Sequence, residues 1–514
     1  MVKKIKVLQV GPENWANTVD LINSSEELSW NYLDNEGISE SELKQVLSKV
    51  KKRTFSVVVF SGIVKQELFQ KLEKAVEAYS LIIDKKLQQD EILASQIDEL
   101  KKPFYMDFIQ PEEVVRTIRE DFFSGQMGSK LHTTAMIVNP EFTGASQLEG
   151  EAYLELEGDF SELLDQQLLT WQYNVGMYQR SKNMWLEFSH SDDVTIEMDV
   201  AKIIEGTDQI SEILTMTESE FSEGFDIDYD GKIGYITISI RAKGQGNLKI
   251  GPLHFRDTRH EYGEFILGGK KISDVNNQEL FYYFNPGDLK PPLTVYFSGY
   301  RSAEGFEGFF MMKSLGSPFL LITDPRLEGG SFYMGSQELE DKLVKVVEKT
   351  LDELQFQKDE LILSGLSMGT YGSLYYANRL RPSYVIIGKP LASVGTIATN
   401  ETLIRPGGFP TSFDILNSLM GDLSQKSAEQ LNKRFWQTFE AGDYTKTEFI
   451  ISYMKNDDYD VNAYPKIAQI MSEKKGTLIG KGIPGRHNDN SQAINQWFIN
   501  QYKRILSEKY NRED

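Results

Sequence analysis

Between Leu361 and Tyr375 a short apolar run leads straight into Gly365-Leu366-Ser367-Met368-Gly369, the single Gly-x-Ser-x-Gly of the chain. No other stretch narrows the possible folds as much. The pattern after a buried strand predicts a nucleophile elbow, in which a serine occupies a strained strand-to-helix turn and small residues two positions away let strand and helix approach. A glycine-rich turn with a bystander serine fits the five residues equally well, so the surrounding chain has to decide.

That surrounding chain alternates apolar runs with helical patterns. Leu293–Phe297, Pro318–Thr323, Leu361–Leu363, Tyr384–Ile387, Phe449–Tyr453 and Thr477–Ile479 are apolar on both faces, as central strands of a parallel sheet are. Between the second and third lies an amphipathic helix: Ser336 caps it, Glu338 and Glu340 sit at its positive end, and Leu339, Leu343, Val347, Leu351 and Leu354 form its buried stripe. Strand, helix, strand, elbow, helix predicts an α/β-hydrolase-like domain over residues 279–514. A helical insertion is expected near 405–444, with Ser427 and Gln430 reading as a capping box.

A serine nucleophile in this fold is followed along the chain by an acid and then a histidine. The chain has five histidines, His132, His190, His254, His260 and His487, and only His487 follows Ser367. It lies just past the last expected strand, where a general base can reach a serine on a neighbouring turn. The acid belongs after the strand ending near Met454, in Lys455-Asn456-Asp457-Asp458-Tyr459-Asp460. Asp457 is the first choice, Asp458 the runner-up and Asp460 third. The oxyanion donors are expected to be the Met368 N–H and the N–H of Gly299 or Tyr300, in the loop Ser298-Gly299-Tyr300-Arg301. Together these residues specify acyl transfer through an acyl-serine.

The rest of the chain reads as two further domains. Residues 1–125 mix strands at Ile5–Val10 and Phe55–Phe60 with a long helical pattern from Gln66 to Ile83, a small α/β domain without a phosphate-binding fingerprint. Residues 126–278 read as a β-sandwich, a candidate glycan-facing module. Within it Asp226-Ile227-Asp228-Tyr229-Asp230-Gly231 starts like a calcium loop, but position twelve is Thr237 and the flanks read as strands, so a hairpin turn is expected, as it is at Gly244-Gln245-Gly246. No metal site is predicted. A net charge of -21 opposes nucleic acid and anionic membranes as main partners. The opening Met1–Gly11 is expected to be a strand, its apolar part too short for a signal peptide, and no apolar run reaches the ~20 residues that span a bilayer. The expected location is the cytoplasm. The absence of cysteine excludes disulfides and a thiolate nucleophile.

Several longer segments carry a resemblance. Val7-Leu8-Gln9-Val10-Gly11-Pro12-Glu13-Asn14-Trp15, Gly251-Pro252-Leu253-His254-Phe255-Arg256, and Tyr296-Phe297-Ser298-Gly299-Tyr300-Arg301 with Glu304-Gly305-Phe306-Glu307-Gly308 resemble the second of the three accessory Sec system proteins of streptococci and their relatives. The resemblance implies a role in exporting serine-rich-repeat glycoprotein adhesins, with two sister accessory Sec proteins and the accessory Sec motor ATPase as partners. It also implies O-acetylation of N-acetylglucosamine on the adhesin in the cytoplasm, with contact to the membrane through the export complex. The family's serine, acid and histidine fall on Ser367, Asp457 and His487; some members carry glutamate at the acid position. An acetyl donor is required, and no cofactor fingerprint identifies it. The competing expectations are a non-enzymatic export scaffold and a simple carbohydrate esterase.

Overall fold

A computed structural model describes residues 4–21, 27–36, 38–48, 55–88 and 90–512, so Met1–Lys3 of the expected opening strand lie outside the described residues. The chain divides into two compact units: residues 1–126, 258–270 and 284–289 form the first, and residues 127–257, 271–283 and 290–514 the second.

The first unit is built on a five-stranded sheet whose strands, Ile5–Val10, Leu28–Leu33, Val57–Phe60, Leu81–Asp84 and Phe104–Met106, pair in parallel, with the second strand at one edge followed by the first, third, fourth and fifth. Alternation along the buried strands feeds two cores. Val57 and Val59 join the core on one face, Val58 and Phe60 the core on the other. The expected helix from Gln66 to Ile83 is broken: it ends at Leu72, a 3-10 turn follows over Glu73–Ala75, and Tyr79 at φ 62 redirects the chain. Leu81-Ile82-Ile83 then pairs with Val58–Phe60 as a strand. Sheet pairing of a β-branched apolar run overrides helical spacing there.

The second unit contains two six-stranded antiparallel sheets sharing one apolar core, and an eight-stranded sheet. In the first of these sheets Thr195–Ile204 and Ile233–Lys243 are central; in the second Lys182–His190 and Gln245–Asp257 are. Neither expected hairpin is one. Phe225–Ile227 pairs with Lys182–His190 whereas Ile233–Lys243 lies in the opposite sheet, so the Asp226–Gly231 stretch crosses from sheet to sheet. Gly244 makes the second crossing at φ 94, where a side chain would meet the Asp193 carbonyl.

The chain leaves these two sheets at Asp257, earlier than the expected boundary, and Gly269–Ser273 instead starts the eight-stranded sheet. Its order runs Gly269–Ser273, Glu279–Asn285, Phe319–Thr323, Leu293–Phe297, Leu361–Leu366, Tyr384–Gly388, Glu448–Met454, Thr477–Ile483, with parallel pairing from Phe319–Thr323 onward. The helix Gln337–Leu354 is capped by Ser336, whose Oγ accepts the Leu339 N–H. The insertion starts earlier than expected, with helices at Val394–Leu403, Thr411–Met420 and Gln425–Glu440. Its last helix is capped by Ser424, which accepts the Ser427 N–H, so Ser427 lies inside the helix and does not form a capping box with Gln430.

One buried cluster of charges binds the antiparallel sheets to the eight-stranded half. His254 Nε2 meets Glu187 at 2.8 Å and its Nδ1 meets Glu304 at 2.5 Å. Arg256 donates to Glu304 at 3.0 Å and to Glu279, and Lys130 lies 3.6 Å from Glu304. Lys271 also lies 4.0 Å from Glu279, and within this cluster His254 holds its proton. Burial alone would strip that proton, but Glu304 and Glu187 outweigh it and push the imidazole up to about 9. Burial likewise opposes the Glu304 charge, and His254, Arg256 and Lys130 hold it down to about 2.

The pH dependence follows in sign. The His254 contribution is complete below the unfolded value of about 6.5 and is lost as pH rises through about 9, on the order of 3 kcal/mol. The Glu304 contribution is present above its unfolded value and lost as pH falls through about 2. Urea midpoints measured at pH 7 and pH 10 should therefore fall for the wild type and change far less for His254→Gln.

Candidate active site

The Leu361–Leu366 strand runs into the helix Met368–Tyr375 with Ser367 between them at φ 52, ψ -119. This is a conformation a non-glycine residue holds only where its surroundings enforce it. Two neighbours do so: the Ser367 N–H donates to the Gly388 carbonyl at 2.9 Å, and the Thr370 N–H returns to the Ser367 carbonyl at 3.0 Å. Both motif glycines are needed for space. A Cβ on Gly365 would stand 2.3 Å from the Gly369 carbonyl oxygen, and one on Gly369 would stand 2.1 Å from that of Phe297.

Ser367 Oγ lies 2.8 Å from His487 Nε2, and His487 Nδ1 lies 2.8 Å from Asp457 Oδ2. His487 and Asp457 are buried. With Nδ1–H donated to the carboxylate, Nε2 is left to accept the Ser367 proton. Burial raises the Asp457 carboxyl, but the hydrogen bond and charge of His487, with the Tyr459 and Asp460 N–H groups, outweigh it and hold the carboxyl below its usual range.

The three aspartates of the acid loop have separate jobs. Asp457 faces the imidazole. Asp458 Oδ1 accepts the His487 backbone N–H at 2.9 Å, and its Oδ2 lies 3.3 Å from Arg405 Nε. Asp460 accepts the N–H groups of Ala392 and Ser393, and burial among them raises its carboxyl above the usual range.

On the opposite side of the elbow the loop after Leu293–Phe297 approaches Leu366, whose carbonyl would lie 3.2 Å from a Cβ on Gly299. The structure removes Gly299 from the free donors, because its N–H is already given to Glu307 Oε2 at 2.7 Å. The other donor expected in this loop is the Tyr300 N–H. It complements Met368, which opens its helix and has no intrahelical acceptor for its N–H. Aromatic rings wall this end of the sheet. Phe409 packs on Tyr300, Phe332 and Tyr459, and the Tyr459 ring meets the His487 imidazole edge-on at 4.6 Å.

A family model described as the Accessory Sec system GspB-transporter matches residues 5–512. The chain belongs to this accessory Sec family. It is 37% identical over 525 residues to the accessory Sec system protein of Staphylococcus aureus, covering 100% of this chain and 98% of that one. To its Streptococcus gordonii counterpart it is 36% identical over 527 residues, with 100% of both covered. Among solved structures it matches a chain of the Glycosylation Associate Protein (Gap123) complex from Streptococcus agalactiae, at 38% identity and a TM-score of 0.90 over 100% of both chains.

In this accessory Sec chain several residues around the site escaped the sequence reading. Glu307 is one, because nothing in the order of residues says that it turns back to Gly299. Lys389 is another: it follows the Tyr384–Gly388 strand, is 6% exposed at φ 60, and donates to Ser491 Oγ at 2.9 Å. A lysine ending a buried strand was a visible signal. Burial depresses its ammonium, an effect that Asp457 and Asp489 oppose. Among the described residues no group of three or more His, Cys, Asp or Glu is placed to hold a metal ion.

The division of labour between the two adjacent aspartates gives a direct test on an aryl acetate. Asp457→Asn should lower turnover roughly a thousandfold or more, because the imidazole loses the partner that fixes its tautomer. Asp458→Asn, which keeps an acceptor for the His487 N–H, should lose far less. Equal losses would place the orienting carboxylate elsewhere.

Proposed function

We propose that this accessory Sec protein is a serine-dependent O-acetyltransferase that modifies N-acetylglucosamine on serine-rich-repeat adhesins and takes part in their export. The observation that carries the reading is the unbroken Ser367–His487–Asp457 chain, with both hydrogen bonds at 2.8 Å. His487 Nε2 takes the Ser367 proton as Oγ attacks the acetyl carbonyl, and Asp457 stabilises the imidazolium. The Met368 and Tyr300 N–H groups receive the oxyanion. Collapse of the intermediate expels the donor's leaving group with the proton from His487. The acceptor hydroxyl then gives its proton to His487 as its oxygen attacks the acetyl-Ser367 carbonyl, and collapse of this second intermediate breaks the acetyl–Oγ bond while His487 returns the proton to Ser367. Asp458 and Tyr459 both contact His487, and Arg405 contacts each of them.

The partners proposed are the two sister accessory Sec proteins, the accessory Sec motor ATPase and the glycosylated adhesin. Family membership and the likeness to a chain from the Gap123 complex support the sister proteins. The place of action proposed is the cytoplasm, at the export complex. No helix among the described residues is long and apolar enough to cross a membrane.

Ser367→Ala separates chemistry from export. Adhesin acetylation, followed by mass spectrometry of released glycans, should disappear. Adhesin secretion, followed by immunoblot, is expected to persist if the two activities are independent. Acetylation unchanged by the substitution would leave only a scaffold role for this domain.

A further inference from the structure

The loop between the helices Val394–Leu403 and Thr411–Met420 reaches both sides of the serine. Phe409 contacts Tyr300 of the oxyanion loop at 5.6 Å and Tyr459 of the acid loop at 6.2 Å. The Tyr459 hydroxyl donates to the Gly408 carbonyl at 2.8 Å, and the Phe409 N–H donates to Glu401 at 2.7 Å. Four residues before Phe409, Arg405 touches the histidine's supports twice. Its Nε lies 3.3 Å from Asp458 Oδ2, and its guanidinium stacks over the Tyr459 ring at 3.6 Å from the centroid.

These two contacts matter because each partner of Arg405 passes to His487 directly. Asp458 holds the histidine's backbone N–H at 2.9 Å. Tyr459 packs edge-on against its imidazole at 4.6 Å and 73°. One cation therefore steadies both the main chain and the ring of the base. Arg405 and Asp458 are 23% and 25% exposed, so the pair is not fully shielded by protein. Nor is this guanidinium saturated, since its Nη1 is buried without a hydrogen-bond partner. Buried structural donors are ordinarily satisfied.

We propose that Arg405 is a positioning residue for the acyl-transfer site, acting through Asp458 and Tyr459 to hold His487 in line with Ser367. The inference rests on the reading of Ser367 as nucleophile. The insertion loop is thereby part of the site's geometry. Guanidinium is the fitting cation, because its planar face stacks on Tyr459 while its charge stays within ion-pair distance of Asp458.

The experiment uses the full chain with Arg405→Ala and Arg405→Lys. Protein labelled with 15N at histidine gives signals from five residues, and His487→Gln identifies the one of interest. Arg405→Ala should shift or broaden the His487 ring resonances while His132, His190, His254 and His260 keep theirs. In parallel, acetylation of Ser367 by p-nitrophenyl acetate should slow roughly ten- to a hundredfold with KM changed less than about threefold, as displacement of a catalytic base does. Added methylguanidinium should restore part of the Arg405→Ala rate, and Arg405→Lys should lie between. A wild-type His487 spectrum in both variants, or rates equal to wild type, would overturn the proposal. Failure of the wild type to acetylate Ser367 would instead sink the nucleophile reading, and the histidine spectra would still decide the positioning role.

Discussion

The half of the molecule built on the eight-stranded sheet depends on one close approach. The helix after the elbow starts so near the neighbouring strand that a single carbon on Gly369 would collide with the Phe297 carbonyl at 2.1 Å. Without that carbon the helix can seat, and seating it forces the turn that holds Ser367 at φ 52. Parallel register does the rest: Phe297 pairs with Gly365 on one side and Leu366 with Gly388 on the other. The loops following those two strands are therefore brought to the level of the serine. The strained turn at Ser367 and the approach of those two loops to it are two consequences of the same packing constraint.

Around that fixed point His487 is held from three directions. Asp457 fixes the tautomer of His487, Asp458 fixes its backbone, and Tyr459 fixes the plane of its ring. Three consecutive residues can do this because alternate side chains of a short turn diverge. Their charges also stay separate: the Asp457 carboxylate is spent on the imidazole, and that of Asp458 is shared with Arg405.

What was legible in the sequence was whatever chain order and uniqueness could determine. Ser367 stood in the single elbow pattern, and His487 was the only histidine after it. Asp457 was favoured over two neighbours by its distance from the strand end. Side chains that return to the backbone were not legible. Gly299 looked like a free donor until Glu307, eight residues later in the chain, took its N–H. The Leu81–Ile83 strand was hidden inside a helical spacing because its pairing partner is distant in sequence. Both crossings between the antiparallel sheets looked like hairpins, since turn chemistry does not reveal which sheet the next strand joins. Arg405 gave no signal, because its partners lie more than fifty residues away.

The buried charge cluster has a consequence for how this protein can be divided. Lys130, Glu187, His254 and Arg256 belong to the antiparallel sheets, while Glu279 and Glu304 lie beyond them in the chain. Cutting between the two would strand two carboxylates on one fragment and a surplus of cations on the other, each against an apolar surface that had never met water. The pair of antiparallel sheets is thus not a detachable module. Its inner layer is completed by the other half's acids, so a change to either half has to be tolerated by both.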